Sequence, residues 1–501
     1  MNPLYSTAEI RAIEQQAAAA LPPGTLMQRA GQVAANAALD MLPFSTSHAK
    51  VLVLAGPGNN GGDALEAAAN LTYSGAQVDV LHFPPAGAQS AERAAAQQRA
   101  QQSDASFNDI GTSALAATDW NLVIDGLFGI GLARPVSGAL RTLVDTVNAL
   151  SCPVLALDVP SGLDADTGAI VGPDGVAVRA THTITFIGDK PGLHTCDGRD
   201  YAGQVTVARL DLDPARFKPA RLHLNEVDFF ARHLRARRQN SHKGSYGNVA
   251  VVGGARGMAG APILAARAAL HAGAGRVFAV FADDAPAYDS AQPELMCRAA
   301  AGFDLDSAVL VLGPGLGTAP QAVELLTRSL ASGSALVADA DALNLIGADP
   351  ALQAAMAQRS GTSIVTPHPL EAARLLGIPV GAVQADRVAA ARKLAVLLNV
   401  TVVLKGSGSV IAVPGGHAVI NTTGNPALAT AGTGDVLAGL CGSLLAQGWP
   451  QWEAALAGVW LHGMAADVLV ADGTGPIGLT AGELVPAIRA AINRLVQQHA
   501  R

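Results

Sequence analysis

Short apolar runs bounded by glycine or proline recur along the chain, and they limit its fold more than any other feature. Six of them lie between residues 50 and 210, as KVLVLAG, QVDVLHF, NLVIDGLFG, PVLALDVPSG, HTITFIG and QVTVARL. Continuously apolar strands separated by alanine-rich helical stretches are typical of a mostly parallel sheet with helices on both faces. The first part of the chain is therefore predicted to form a Rossmann-like three-layer α/β/α domain.

A second series of such runs begins near residue 247. It reads GNVAVVGG, RVFAVF, AVLVLGPG, ALVADADAL, SIVTPHP and TVVLKGSG. Because the pattern restarts, it predicts a second α/β domain. The periodicity fades near residue 220, and a length of 501 residues favours more than one domain. We predict two domains, residues 1–220 and 221–501.

The composition points to small-molecule partners. Apolar residues make up 50% of the chain, charged residues 15% and aromatic residues 4%, which suits alanine- and glycine-rich α/β layers. A net charge of −7 argues against nucleic-acid binding, which needs a broad basic face. The four cysteines have no paired spacing, so they predict neither a disulfide framework nor a zinc site.

The N-terminus is predicted to begin a folded helix. Ser6 and Glu9 form a capping-box pattern, and no cationic start precedes a long apolar run, so a signal peptide is not indicated. The most hydrophobic later stretches are interrupted by Asp435, His462 and Asp467, which are costly in lipid. We expect a soluble cytoplasmic protein without membrane partners, and a homo-oligomer.

A glycine-rich loop in VLVLAGPGNNGGDAL is the first candidate site. Its glycines lie between a predicted strand and a predicted helix, where backbone N–H groups and the helix dipole hold an anion. A tight structural turn is an alternative of comparable weight. The two asparagines and the aspartate of NNGGD add oxygens that a turn does not require, and the usual dinucleotide fingerprint is absent.

Two more loops follow predicted strands, around Asp125 and Asp158. Ligands of open α/β sheets lie at the carboxyl ends of the strands, so the three loops should converge on one crevice. The strings NNGGD, DGLFGIG and DVPSGLDADTG stand in the order and spacing of the NAD(P)H-hydrate epimerase family, which residues 1–215 closely resemble.

The resemblance implies roles for individual residues. It assigns a potassium ion to Asn60, Asp125 and Ser161, and the acid/base role to Asp158, for which a structural cap of the following turn is the alternative. Ala64 stands where the family commonly has glycine, which is expected to tighten the helix start. The hydrated dinucleotide is assigned to Asn59, Asn60, Gly61, Gly62, Asp63, Gly129, Ile130, Gly131, Leu132, Ala133, Arg134, Pro135 and Asp158.

The implied chemistry needs only an acid. Hydration places a hydroxyl on carbon 6 of the nicotinamide ring, beside the ring nitrogen, whose lone pair expels that hydroxyl once a proton reaches it. A carboxyl group gives this proton and takes one back from water. Addition of water to the other face inverts the centre, and ring opening is an alternative route.

The second candidate site lies in NTTGNPALATAGTGDVLAGLCGSLL. Gly432, Thr433 and Gly434 let the backbone approach an anion, and Asp435 opens an apolar helix, which places a base beside an anion hole. A helix cap is the weaker interpretation of Asp435. The arrangement resembles the ribokinase-like superfamily, in which the equivalent aspartate deprotonates a hydroxyl that attacks a nucleotide's terminal phosphate.

Seven ordered strings over residues 225–495 narrow the resemblance to the NAD(P)H-hydrate dehydratases: SHKGSYGNVAVVGG, GMAGAPILAARAALHAGAG, VLGPGLG, DADALN, TPHPLEAARLL, VLKGSGSVI and AGTGD. Ala427 and Ala431 replace usual glycines. The resemblance assigns Ala261, Gly317, His368 and Asp435 to the hydrated cofactor, with Gly315 nearby. It assigns Lys405, Gly406, Ser407, Gly408, Ser409 and Gly434 to the adenylate of ADP. For His368, a hydrogen-bonding role at the start of a helix is the alternative.

The two resemblances together imply repair of hydrated NADH and NADPH. The first domain would interconvert the two epimers. In the second, Asp435 would deprotonate the carbon 6 hydroxyl, ADP with Mg²⁺ would phosphorylate it, and phosphate would leave with AMP as by-product. Two alternatives remain at this stage. The second half is a vitamin or sugar kinase beside a regulatory first half, or the first half is a non-catalytic scaffold.

Overall fold

A computed structural model describes residues 2–42, 45–85, 87–107 and 112–499. The chain divides into two compact units. One is Pro3–Leu222, and the other is the chain from His223 onward together with Asn2. Each unit is a mixed α/β structure built on a mostly parallel sheet, which confirms the predicted fold class.

The strands of the N-terminal unit are β1 (Pro3–Leu4), β2 (Lys50–Ala55), β3 (Gln77–His82), β4 (Ser106–Phe107), β5 (Leu122–Gly126), β6 (Val154–Leu157), β7 (His182–Phe186) and β8 (Gln204–Ala208). The helices are α1 (Thr7–Ala18), α2 (Thr25–Met41), α3 (Asn59–Tyr73), α4 (Ala91–Gln102), α5 (Thr112–Ala117), α6 (Ala139–Asn148) and α7 (Gly198–Tyr201). Seven strands form a parallel sheet in the order β4-β3-β2-β5-β6-β7-β8.

This order creates a switch point between β2 and β5, because the chain builds outward from β2 in both directions. A crevice forms outside the carboxyl ends of strands at such a point. Alternate residues of β2 enter the cores on the two faces of the sheet: Val51 and Val53 on one side, Leu52 and Leu54 on the other. The unit is therefore a three-layer α/β/α structure, as predicted.

Strand β9 (Leu222–Leu224) lies where the C-terminal unit begins. The other strands of this unit are β10 (Asn248–Gly253), β11 (Arg276–Phe281), β12 (Met296–Ala299), β13 (Val309–Leu312), β14 (Leu336–Ala338), β15 (Ser363–Val365), β16 (Thr401–Leu404), β17 (Val410–Ala412) and β18 (Ala418–Ile420). The helices are α8 (Gly260–His271), α9 (Pro320–Ala331), α10 (Ala340–Ala348), α11 (Pro350–Ala357), α12 (Pro369–Leu376), α13 (Val380–Ala385), α14 (Arg387–Leu398), α15 (Thr433–Ala446), α16 (Gln451–Ala471) and α17 (Ala481–His499).

The sheet of this unit contains the order β18-β17-β16-β15-β14-β13-β10-β11-β12. Strands β10 to β16 are parallel, and β17 and β18 are antiparallel to their neighbours. The carboxyl ends of β14, β15 and β16 therefore lie side by side at one edge of the sheet. The loops that follow these strands contain residues of three of the predicted motifs, DADALN, TPHPLEAARLL and VLKGSGSVI.

Two local features bear on the predicted soluble protein. The capping box of Ser6 and Glu9 is present at the start of α1, as predicted. By length and composition alone, helix α16 is long and apolar enough to cross a membrane. Its most apolar stretch of 18 residues has a mean hydropathy of 1.6, but 61% of that stretch is buried inside the protein. It packs against α15 and α17 in the hydrophobic core, as expected for a helix that is apolar all round.

Candidate active sites

The N-terminal unit has a cavity of about 380 Å³ at the carboxyl ends of its strands. The three predicted loops converge on it, since Asn60, residues 127–132 and Asp158 all line it. Apolar side chains of α1 and α2, including Ile10 and Met27, form another part of the wall. A pocket with an apolar wall and a few convergent polar groups is typical of small-molecule sites.

Several predicted substrate-binding residues do not line this cavity. A side chain at Gly61 would place Cβ 1.9 Å from the carbonyl oxygen of Gly56, and at Gly62 it would lie 2.6 Å from Met27. These two glycines allow close packing at the start of α3. The predicted residues that line the cavity are Asn59, Asn60, Asp63, Gly129, Ile130, Gly131, Leu132 and Asp158, whereas Gly61, Gly62, Ala133, Arg134 and Pro135 lie outside its lining.

Asn60, Asp125 and Ser161 meet around the backbone of Phe128. The Asn60 amide donates to the carbonyl oxygens of Phe128 and Leu157, at 3.0 Å each. The Ser161 hydroxyl lies 2.6 Å from Asp125 Oδ1 and 3.1 Å from the Phe128 carbonyl oxygen. Burial raises the pKa of Asp125 to about 6, although hydrogen bonds from Ser161 oppose this rise.

One oxygen of this cluster has no partner. Asn60 Oδ1 is buried and accepts no hydrogen bond in the described part of the chain. Buried polar atoms are rarely left unpaired, and such an atom calls for an explanation such as an ion or a water molecule. The group of neutral and acidic oxygens, with one oxygen free, fits an oxygen-liganded cation.

Asp158 forms a buried ion pair with Lys190, a residue that the sequence analysis did not identify. Lys190 is fully buried, and its Nζ lies 2.6 Å from Asp158 Oδ1 and 2.7 Å from Thr185 Oγ1. Two backbone carbonyls also accept from it. Asp158 Oδ2 faces Gly129, where a Cβ would lie 3.1 Å away. Gly129 thus leaves room for the second carboxylate oxygen.

Two further carboxyl groups line the same cavity. Glu14 projects from α1, and burial followed by the negative charge of Asp158 raises its pKa. The same two causes, in the same order, raise the pKa of Asp63 well above its usual value. Carboxyl groups with raised pKa values beside an aspartate that is paired with a lysine are an arrangement suited to acid/base chemistry. The sequence analysis named Asp63 but not Glu14.

A buried arginine supports the glycine-rich loop from behind. Arg93 of α4 is 1% exposed, and its Nη2 donates to the carbonyl oxygen of Gly56 at 2.8 Å. Its Nη1 donates at 2.6 Å to Oε1 of Gln89, which lies just before the N-cap of the same helix. The first residue of the loop is therefore fixed by a side chain that does not face the cavity.

The three alanines that replace usual glycines fit their surroundings. The methyl group of Ala64 lies against Gly126, which has no side chain. A Cβ at Gly126 would lie 2.4 Å from the Ala64 methyl group, so the glycine leaves room for the alanine. Ala427 is buried and Ala431 is exposed, and neither has a positive φ. These positions therefore do not require glycine here.

In the C-terminal unit, three segments meet around Lys405. Lys405 follows β16, and its Nζ lies 2.6 Å from Oδ1 of Asp339, which follows β14. A Cβ at Gly434, in the first turn of α15, would lie 3.2 Å from that Nζ. Asp435 is the next residue of α15. The structure thus brings the predicted base and the predicted adenylate lysine to one place.

The ionisable groups here influence one another. Burial, and then the charges of Asp339 and Asp341, raise the pKa of Asp435 to about 7, and Lys405 opposes this rise. Burial lowers the pKa of Lys405, but neighbouring carboxylates, Asp339 first, outweigh it and raise that pKa. A carboxyl group that exchanges its proton near neutrality suits a general base.

His368 caps helix α12. Its Nδ1 accepts from the backbone N–H groups of Leu370 and Glu371 at 3.1 and 3.3 Å. Glu371 Oε2 accepts from the His368 backbone N–H at 2.7 Å. Burial and the charge of Lys405 lower the pKa of His368, which favours the neutral ring, whose Nδ1 is able to accept these bonds. His368 therefore makes the helix-start hydrogen bonds that the alternative interpretation expected. Its contact with a hydrated cofactor stays a prediction.

The remaining predicted substrate residues lie together near α10. Asp341, which the sequence analysis did not assign to the site, accepts from the Gly317 backbone N–H at 2.8 Å. Gly315 and Gly317 have positive φ values of 57° and 72°. A Cβ at Gly315 would lie 3.3 Å from that of Ala261. Asp341 therefore links this loop to the carboxyl end of β14.

Two α/β units, each with ionisable side chains at the carboxyl ends of its strands, define a two-site α/β enzyme. Residues 23–192 match the family model described as YjeF-related protein N-terminus, and residues 249–489 match that described as NAD(P)H-hydrate dehydratase. The chain belongs to the family of bifunctional NAD(P)H-hydrate repair enzymes.

Curated relatives and a solved structure show the extent of the similarity. The bifunctional NAD(P)H-hydrate repair enzyme Nnr of Coxiella burnetii is 38% identical over 98% of this chain and 100% of its own length. The ADP-dependent (S)-NAD(P)H-hydrate dehydratase of Neisseria meningitidis is 47% identical over 53% of this chain and 91% of its own. A ribokinase-like superfamily protein from Enterococcus faecalis is 26% identical, with a TM-score of 0.48, and the match covers 56% of this chain and 98% of that chain.

Proposed function

We propose that this chain repairs hydrated NADH and NADPH. Residues 1–220 interconvert the R and S epimers, and residues 221–501 dehydrate the S epimer at the expense of ADP, giving AMP and phosphate. The observation that carries the proposal is the presence of two separate sites, one in each unit, each with a carboxyl group near a lysine, to which we assign the acid/base role. Asp158 serves the first and Asp435 the second. The partners are small molecules, and we expect a cytoplasmic homo-oligomer.

In the epimerase site, a carboxyl group of the cavity protonates the carbon 6 hydroxyl, and the ring nitrogen's lone pair expels it as water. Lys190 holds Asp158 with one oxygen towards the Gly129 loop. Asp158 then takes the proton from the water that adds to the opposite face. Ring opening and closure would use the same carboxyl groups.

Asn60, Asp125 and Ser161 would hold a potassium ion. The unpartnered Asn60 Oδ1 supports this assignment, because it provides an acceptor that no described side chain uses. Such an ion would supply a positive charge that joins three loops of the cavity.

In the dehydratase site, Asp435 removes the proton of the carbon 6 hydroxyl. The oxygen attacks the terminal phosphoryl group of ADP, a new P–O bond forms, and the bond to AMP breaks. Loss of the carbon 5 proton then expels phosphate and forms the ring double bond. Lys405 supplies positive charge beside Gly434, and Ala261, Gly317 and His368 form the hydrate side of the site.

The predicted magnesium ion does not fit a site on the protein itself. Within the described ranges, no group of three or more His, Cys, Asp or Glu side chains is arranged for a metal ion. Asp339 is paired with Lys405. Magnesium usually binds through substrate phosphates and few carboxylates, so its place would be on ADP.

Product analysis tests the proposal. The full chain is incubated with the S epimer and ADP, and reduced nicotinamide, AMP and phosphate are quantified by chromatography. Equal amounts of the three are expected. Asp435→Asn should lower their formation by at least about a hundredfold, the low end for loss of a general base. Recovery without ADP consumption, or full activity of the variant, would contradict the dehydratase assignment.

A further inference from the structure

A second buried arginine lies behind the loop that follows β16. Arg387 opens helix α14 and is 2% exposed, although it carries a charge. It lies in phase with the buried stripe of the helix, which continues through Ala391, Leu394 and Leu398. An arginine in such a position is costly unless its donors are satisfied. Its contacts therefore show what it is there to do.

The guanidinium group of Arg387 donates to the backbone of the segment that leads into residues 405–409, which we call the nucleotide loop. Its Nη2 lies 3.3 Å from the carbonyl oxygen of Leu404 and 3.1 Å from that of Lys405. Its Nη1 donates to Gln384 Oε1 at 2.7 Å. Gly406, with a φ of 143°, lies against it, since a Cβ there would be 2.7 Å from Nη1.

These bonds fix two peptide planes of the loop. In a planar trans peptide the carbonyl oxygen and the following N–H point in opposite directions. The N–H that follows Leu404 belongs to Lys405 and donates to the Pro367 carbonyl at 2.9 Å. The N–H that follows the Lys405 carbonyl belongs to Gly406 and donates to Ser409 Oγ at 3.3 Å. Both planes are thus held from two sides, which sets where the Lys405 side chain starts.

We infer that Arg387 is a positioning residue for the nucleotide loop, and that it acts on ADP binding through Lys405 without touching ADP. The inference rests on the proposed function, which assigns ADP to this loop. Arg387 is too buried to contact a ligand. Nη2 donates to two neighbouring carbonyls while Nη1 bonds Gln384, so the planar guanidinium is held in one orientation by two different nitrogens, which the single ammonium of lysine does not reproduce.

The N-terminal unit contains the same arrangement. Arg93 donates from Nη2 to the Gly56 carbonyl and from Nη1 to Gln89. In both units, a buried arginine on a helix bonds a glutamine that lies before the start of that helix, and it also donates to a backbone carbonyl at the end of a strand or just after it. The recurrence in two different sheets indicates a role in positioning loops.

Arg387→Lys and Arg387→Met test the inference in the full-length protein. Dehydration of the S epimer is measured at varied ADP, and then at varied hydrate. We expect the KM for ADP to rise at least about tenfold, by analogy with the lower range for loss of a residue that supports a metal ligand. The value of kcat and the KM for the hydrate should stay close to those of the parent. Lysine should retain more ADP affinity than methionine.

Arg359→Lys is the matched control. Arg359 lies in the same unit and also donates to backbone carbonyls, those of Ser329, Leu330, Ser332 and Ser334, but it does not contact the nucleotide loop. Its variant should leave the KM for ADP unchanged even if it unfolds at lower temperature. If Arg387→Met does not fold, Gln384→Leu takes its place, because it removes the contact with Nη1 and leaves the arginine itself in the chain.

Calorimetric titration of ADP into each protein separates the possible failures. Weaker ADP binding by the Arg387 variants, with parent-like binding by the control, supports the inference. An unchanged KM for ADP, or an equal rise in the KM for the hydrate, overturns it. A parent protein that neither binds ADP nor consumes it overturns the proposed function, and the role of Arg387 with it.

Discussion

Lys190 Nζ lies 2.6 Å from Asp158 Oδ1, and this ion pair is almost entirely excluded from solvent. Asp158 also has a positive φ of 66°, an uncommon backbone conformation for a residue other than glycine. Such strain persists where the surroundings impose it, and it is frequent at functional sites. Lys190 thus places a positive charge beside Asp158. By binding Oδ1, it also determines that Oδ2 is the carboxylate oxygen that faces the cavity.

Replacing Lys190 by methionine should destabilise the protein by about 3–5 kcal/mol, because it leaves a buried carboxylate without its partner. Interconversion of the epimers should also fall strongly. Urea unfolding and chromatographic separation of the epimers measure the two effects. The double variant Lys190→Met with Asp158→Asn should regain part of the lost stability, since it removes the unpaired charge. A single variant as stable as the parent would show that the pair contributes nothing.

The pH profile of dehydration should report Asp435. Because Asp435 acts as a base only when ionised, and its pKa is raised to about 7, activity should rise with pH through that value. We expect kcat/KM for the S epimer to increase about tenfold between about pH 6 and about pH 8. Burial also raises the pKa of Glu371 to about 7. The profile should therefore persist in Glu371→Gln, and its loss there would assign the titration to Glu371.

The same shift gives a stability control. A carboxyl group with a raised pKa favours the folded state when it is neutral. This contribution to stability is fully present below the pKa of the unfolded chain, about 4, and it is lost as pH rises through the folded-state pKa of about 7. Asp435→Asn cannot ionise. It should therefore unfold at a higher temperature than the parent above neutral pH, which an inactive but misfolded variant would not do.

The predicted potassium site is tested by exchange of cations. Replacing potassium chloride by choline chloride at equal ionic strength should slow epimerisation and lower the unfolding temperature, because Asn60 Oδ1 and Asp125 would lose their cation. Dehydration of the pure S epimer should not change. Asn60→Leu, which lacks the oxygen, should show no difference between the two salts. Identical epimerisation and unfolding of the parent in both salts would contradict the site.

The fold could be predicted from the sequence because strand runs and glycine loops are local patterns. The runs KVLVLAG and GNVAVVGG became the interior strands β2 and β10, and the loops at their carboxyl ends followed from parallel topology. The positions of the residues inside each motif, such as Asn60 and Asp435, could therefore be predicted without a structure, and their roles stay predictions.

Residues whose role depends on distant contacts could not be identified in this way. Asp158 and Lys190 are 32 positions apart, and Lys190 joins the site only because β6 and β7 are neighbours. Its place after the strand HTITFIG was an available signal. Arg93 and Arg387 resemble ordinary surface arginines in sequence, and only their phase with a buried helical stripe marks them. Burial of a charge depends on what packs above it, which no local pattern records.

The central claim is that one chain carries two separable activities, and a mixture of epimers tests it most directly. Asp158→Ala, given both epimers and excess ADP, should regenerate reduced nicotinamide from the S epimer at the parent rate. It should then stall, apart from slow spontaneous interconversion. Adding full-length Asp435→Asn, which retains the epimerase site, should restart the recovery, followed by the absorbance of reduced nicotinamide. Consumption of both epimers at the parent rate by Asp158→Ala alone would contradict the account, as would the loss of all dehydration.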